Sequence, residues 1–249
     1  MKICVFDTET TSLEKPFCYN IGYVIYDTDM QKILLSRSYV VEQIWHNLPL
    51  FSTAYYAEKR PIYVTEMRAH TTVMNKFGYI CQQMIRDFTA YEVEIAYAYN
   101  SPFDEKVFNF NCDWFKCVNP FDNIPIKDIR GFAHEFIVDN LFCDWCDTHG
   151  YYTDSGNYST TAEVVYRYIS GNLEFDEAHT ALDDSKIELD ILRAAVDCGA
   201  EWNGEYKTKR SIERTIEKTL KLITREKETL TFNFSKISVS KDKTKIILK

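Results

Sequence analysis

The sequence predicts an α/β fold built on one mixed sheet. Its first 41 residues read as three strands in a meander. From Met74 onward strand-like runs alternate with helix-like ones, and two helical stretches end on glycine. Residues 3–6 form a short apolar run of the kind a strand buried on both faces shows. Residues 22–26 and 33–41 read as the next two strands, with Asp27-Thr28-Asp29 as the turn between them. A helix is expected over 74–88, a strand over 94–99, and a helix start over 104–110. Thr160 precedes helical spacing that runs to Ile169 and closes at Gly171. A last helix over 181–198 ends at Gly199, where a left-handed residue follows the final turn.

Of the 249 residues 45% are hydrophobic and 27% charged, and 17 Tyr, 16 Phe and 4 Trp supply core material, which excludes global disorder. No apolar run reaches the roughly 18 residues of a membrane span, so no membrane partner is expected. The opening Met-Lys-Ile-Cys-Val-Phe-Asp turns polar too soon for a secretory leader, and a cytoplasmic location is expected. The net charge of −8 hides a split. Residues 205–249 carry 13 Lys/Arg against 6 Asp/Glu, a net of +7, which leaves −15 on the rest. This divides the chain into a domain over 1–204 and a basic appendage over 205–249. In the appendage Ile212, Ile216, Leu220 and Ile223 form an apolar stripe on a charged helix. Phe232 and Phe234, then residues 246–248, flank a turn at Lys241-Asp242-Lys243 and read as a hairpin. Such a unit suits a polyanion, a homodimer or a replication partner; a solvated charged helix is the simpler alternative.

Three constellations carry chemistry. In Phe6-Asp7-Thr8-Glu9-Thr10-Thr11-Ser12-Leu13, strand alternation puts Asp7 and Glu9 on one face. Two carboxylates at the end of a buried strand repel each other and lose hydration, and a divalent cation of the Mg²⁺ or Mn²⁺ type removes both penalties. In Ala98-Tyr99-Asn100-Ser101-Pro102-Phe103-Asp104, a strand leads into a helix whose first turn holds Asp104, where an acid also suits the helix dipole. In His179-Thr180-Ala181-Leu182-Asp183-Asp184, Asp184 shares a stripe with Ile187 and Ile191 and faces the sheet. Asp183 lines up with Lys186 and Asp190 and faces solvent. A histidine beside an inward carboxylate is a general-base candidate.

Together these motifs resemble those of the DEDDh 3′–5′ exonucleases, the group that includes the epsilon proofreading subunit of bacterial DNA polymerase III. The D-x-E strand stands here as DTETTSL, the second motif as AYNSPFD, and H-x-A-L-x-D as HTALDD. The order is that of the family; Ser12 replaces the usual glycine, and the basic appendage is not covered. The resemblance implies a ribonuclease-H-like mixed sheet flanked by helices. It implies two divalent ions, Mg²⁺ or Mn²⁺, held by Asp7, Glu9, Asp104 and Asp184, with His179 taking the proton from the attacking water. Thr8, Thr10, Leu13, Asn100 and Phe103 would lie along the 3′-terminal nucleotide, although Phe103 also fits a core position. The expected substrate is the 3′ end of single-stranded DNA, released as nucleoside monophosphates. The alternatives are an exoribonuclease trimming RNA 3′ ends, or a nuclease-fold binding module recruited to a replication complex.

The cysteines raise a separate question. Cys143, Cys146 and His149, with Cys112 and Cys117 upstream, offer zinc-type ligands. A structural Zn²⁺ at Cys143, Cys146 and His149 is disfavoured, because that stretch reads as a helix in which the thiols pack as small apolar groups.

Overall fold

Residues 1–208 and the two strands Ile237–Val239 and Ile246–Leu248 are described by the computed structural model. Side chains of β1 (Lys2–Thr10) alternate between two cores: Ile3 and Val5 enter one, Cys4 and Phe6 the other, and all four are wholly buried. Burial on both faces explains why this strand reads as a continuous apolar run. β2 (Cys18–Asp27) pairs antiparallel with β1 and with β3 (Lys32–Val41), which completes the meander. The Asp27 carboxylate closes the β2–β3 turn by accepting the N–H groups of Asp29 and Met30 at 2.9 and 3.0 Å.

Next come three short helices that the sequence does not announce: α1 (Glu42–Trp45), α2 (Leu48–Phe51) and α3 (Arg60–Arg68). Val73–Asn75 forms β4, parallel to the edge of β3, so the helix expected from Met74 begins at Phe77 as α4 (Phe77–Tyr91). β5 (Ile95–Ala98) runs parallel to β1 and leads into α5 (Ser101–Phe115). β6 (Ile126–Asp128) extends the sheet beside β5. Then follow α6 (Ile129–Phe136), α7 (Asn140–His149), α8 (Ala162–Ser170) and α9 (Ala181–Asp197). The order across the six strands is β4-β3-β2-β1-β5-β6.

Helices cover both faces of this sheet. α4 and α5 pack on the face of Phe6, Ile21 and Tyr23, whereas α6, α8 and α9 pack on the face of Val5, Val24 and Tyr97. The chain divides into two units, Met1–Tyr206 and Lys207–Lys249. In the second, β7 (Ile237–Val239) pairs antiparallel with β8 (Ile246–Leu248). The hairpin's first strand therefore falls at 237–239. Phe232 and Phe234, the turn at 241–243 and the stripe of Ile212, Ile216, Leu220 and Ile223 lie outside the described residues.

One contact fixes α9 on the sheet. Gly22 stands opposite Asp7 in the β1–β2 register, and the first turn of α9 lies directly on it. A Cβ at Gly22 would collide with the backbone N of Leu182 and the carbonyl of Ala181. Polar contacts secure the approach: Ala181 N–H donates to Asn20 Oδ1 at 2.8 Å, and Ser185 Oγ donates to the Gly22 carbonyl at 3.0 Å. Gly22→Ala is expected to lower stability by about 3 kcal/mol, at the upper end of the range for overpacking, because rigid backbone must move. Urea denaturation of the two proteins measures it, and a loss under about 0.5 kcal/mol, the size of an ordinary surface substitution, would show that the helix lifts off freely.

Candidate active site

Asp7 and Glu9 project from the C-terminal half of β1 on the face that α9 covers, and the contact at Gly22 brings Asp184 over them. Asp184 is only 5% exposed, whereas the Asp183 side chain is 48% exposed and pairs with Lys186 at 2.8 Å. Asp104 arrives from the other side of the sheet. β5 runs parallel to β1, so the helix that follows it begins beside the end of β1. The Thr8 hydroxyl, on the opposite face of β1 from Asp7, donates to Asp104 Oδ1 at 2.6 Å and holds it there.

Ligand atoms of Glu9, His179 and Asp184 all lie within 4.8 Å of one another. His179, just before α9, has a left-handed backbone with φ of 51°. Its ring stacks on Tyr56 with centroids 4.0 Å apart, its carbonyl accepts from Tyr63 Oη at 3.3 Å, and its Nδ1 lies 3.7 Å from Glu177 Oε2. Burial, helped by the charge of Lys59, holds the imidazole below its ordinary pKa, so it is uncharged at neutral pH.

The carboxylates show the opposite effect. Burial pushes Asp7 up to about 7. Burial, then the charges of Asp7 and Glu177, pushes Asp184 up to about 10. Glu9 and Asp104 are also raised well above the ordinary range, by burial first and by Asp7 second. Asp184 Oδ1 is buried with no hydrogen-bond donor among the described residues. An acceptor left bare among negative charges fits a cation, and a donor set made only of oxygen and imidazole fits Mg²⁺ or Mn²⁺.

The expected nucleotide-contacting residues are placed variously. Leu13 is 75% exposed at the β1–β2 loop, where Lys106 Nζ donates to its carbonyl at 2.6 Å. Thr10 Oγ1 turns back to the Ser12 carbonyl. Asn100 is exposed, with a left-handed backbone whose N–H donates to Asp128 Oδ1 at 2.8 Å. Phe103 packs against the core on the α5 side, and Thr8 is engaged with Asp104.

Sequence reasoning missed two acids. Glu177 is pushed up to about 7 by burial and then by Asp7. Glu188, buried one turn after Asp184, accepts the Tyr99 N–H at 3.2 Å and is raised by burial and by Asp7, Asp104 and Asp184. The i, i+4 spacing from Asp184 to Glu188 was the available signal for the second. For Glu177, in an irregular segment, no periodic signal exists. Nor does the structure join the cysteine pairs. Cys146 is a buried residue of α7 on the α9 side of the sheet, with His149 exposed and its Nδ1 2.8 Å from the Trp145 carbonyl, whereas Cys112 packs on the other face.

These shifts set a pH dependence. In metal-free protein the folded state keeps protons that the unfolded state releases from about pH 4 upward. Its stability must therefore fall as pH rises from there through about 7 for Asp7 and Glu177 and towards about 10 for Asp184. Mg²⁺, by binding only the folded state, should offset the loss most at the alkaline end. Thermal melts across that range with EDTA or Mg²⁺ test this; a melting temperature that climbs with pH in EDTA would contradict it.

No protein-family model matches the sequence, and no curated protein matches it. The fold is similar to those of solved nucleases. The nuclease domain of 3′hExo, a DEDDh family member solved with rAMP, gives a TM-score of 0.51 at 17% identity, over 82% of this chain and 96% of that one. A 3′-exonuclease from a structure of 3′-end specific recognition of histone mRNA stem-loop gives 0.53 at 16%, over 79% of this chain and 64% of the other. E. coli Exonuclease I in complex with a dA16 oligonucleotide gives 0.50 at 16%, over 79% and 40%. The chain thus spans less than two thirds of the latter two. The mixed six-stranded sheet with helices on both faces is the ribonuclease-H-like fold shared with the DEDDh 3′-exonuclease domains.

Proposed function

We propose that the chain is a metal-dependent 3′–5′ exonuclease that removes nucleoside monophosphates from the 3′ end of single-stranded DNA. The observation that carries this reading is the gathering of Glu9, His179 and Asp184 within 4.8 Å, with Asp7 close enough for its charge to raise Glu9, Asp104 and Asp184 and with an Asp184 oxygen that no donor among the described residues satisfies. Asp7, Glu9 and Asp184 would hold one divalent ion and Asp7 with Asp104 a second; ions held there would polarise the scissile phosphodiester and acidify the attacking water. The remaining work falls to side chains and backbone. Thr8 fixes Asp104, and Asn20 with Ser185 fixes the helix that carries Asp184. His179, with Nδ1 towards Glu177, has Nε2 to accept the proton of the attacking water. Leu13, exposed on the loop that follows β1, and the Thr10 backbone would pack against the terminal nucleotide.

RNA is the second reading, and a specific observation favours it: two of the three similar folds were solved with rAMP or in histone mRNA stem-loop recognition, the third with a DNA oligonucleotide. The basic 205–249 segment offsets the −15 charge of the remaining chain and would bind further phosphates.

Digestion of 3′-labelled single-stranded DNA and RNA in parallel, with Mg²⁺, Mn²⁺ or EDTA, tests the reading and ranks the substrates. Asp184→Asn should abolish release of monophosphates, and Asp183→Asn should retain most of it. His179→Ala should slow turnover by roughly 10²–10⁴-fold, the range for a lost general base. Full activity in EDTA, or an active Asp184→Asn, would overturn the proposal. Replacing Lys218, Lys221 and Arg225 with Gln should flatten the slope of log affinity against log salt by about 0.7 for each phosphate no longer neutralised. An unaltered slope would leave self-association or partner docking as that segment's role.

A further inference from the structure

A second cluster of ligating atoms lies on the face of the sheet opposite α9, and the exonuclease reading does not use it. Cys81 of α4, Cys112 of α5 and Cys117 just beyond α5 place their sulfurs within 4.8 Å of one another. Cys81 and Cys112 are buried and Cys117 is half-buried. The four-residue gap between Cys112 and Cys117 looks too wide for a paired site, and the backbone explains how it closes. Lys116 caps α5 in a left-handed conformation, φ 55°, and folds the Cys117 N–H back onto the Cys112 carbonyl at 3.1 Å. Gly78, one turn before Cys81 on α4, leaves the room that Cys117 fills: a Cβ there would stand 3.3 Å from Cys117 Cβ.

We infer that Cys81, Cys112 and Cys117 form a three-thiolate site for a thiophilic cation of the Zn²⁺ class, which staples α4 to the C-terminal end of α5. Three sulfurs around a tetrahedral Zn²⁺, at about 2.3 Å each, sit about 3.8 Å apart, so the thiols need close by no more than about 1 Å. Binding releases the thiol protons to solvent, and the half-buried side of Cys117 leaves the fourth position to water. Asp104 and Cys112 share one face of α5, eight residues and about 12 Å apart along the axis. The ion would therefore brace the helix that presents Asp104 without touching the carboxylate site.

The test uses full-length, reduced protein stripped of metal, with Mg²⁺ in excess to fill the oxygen site, titrated with Cd²⁺. The expected result is one Cd²⁺ per chain with a thiolate-to-metal charge-transfer band, which carboxylates cannot produce. Cys117→Ser, the change least disruptive to the core, should weaken binding by at least about 100-fold, more than the 10–100-fold that loss of an outer-shell partner costs. A Cys143→Ser/Cys146→Ser double variant should bind as the parent does. Zn²⁺ should raise the melting temperature of the parent and not of Cys117→Ser. Absence of the band, a band that survives Cys117→Ser, or a Cys81–Cys112 disulfide in its place would each overturn the assignment.

Discussion

The approach of α9 to Gly22 is the constraint on which the rest of the carboxylate site depends. Asp7 and Asp184 belong to elements far apart in sequence, and both must reach one small volume. Any side chain opposite Asp7 on β2 would hold the helix about a methyl group's width further out, and Asp184 with it. Ser185 and Asn20 then fix the helix's axial position, because a glycine contact sets separation and not register. The same strand position that makes room for the helix thus sets the geometry of the chemistry.

That geometry stores an electrostatic conflict. Around Asp7 stand Glu9, Asp104, Glu177, Asp184 and Glu188, and each is raised by burial and by at least one of the others. Two cations of the described residues are paired elsewhere: Lys186 with Asp183 on the solvent face, and Arg167, which only partly offsets the rise at Glu177, with Glu163 at 2.8 Å. A protein that needed only a fold would answer six crowded acids with arginine or remove them. Keeping them together, with one oxygen that no donor among the described residues satisfies, makes sense when the missing positive charge is supplied from solution.

Much of this was legible in the sequence, because its signals are local. Strand alternation placed Asp7 and Glu9 together, and helical spacing separated Asp184 from Asp183. Apolar runs located β1 to β3 and β5. What escaped is non-local. β4 is three residues long and exists only because β3 offers an edge, so Met74 read as helix. Gly22 looked like any strand glycine until the helix lying on it was known. The cysteine cluster is non-local too: spacing offers Cys112 and Cys117 beside Cys143 and Cys146, whereas the sheet separates those pairs and α4 brings Cys81 to the first.

The least legible stretch, residues 42–68, turns out to matter most for His179. A non-glycine residue held left-handed costs roughly 1–2 kcal/mol and persists only where its surroundings over-determine it. Much of that surrounding comes from this stretch, with Glu177 beside Nδ1. Tyr56 stacks on the ring, Tyr63 holds the carbonyl, and Lys59 helps keep the imidazole uncharged. Tyr63 is itself wholly buried between Tyr19 and Trp45, and Tyr19 donates to Glu9 at 3.4 Å. One aromatic cluster therefore anchors the imidazole and a carboxylate together. The short helices α1 to α3 carry little periodicity because that anchoring shapes them. Each contributes one aromatic side chain to the cluster, Trp45, Phe51 and Tyr63 in turn, and none needs an apolar stripe long enough to be read.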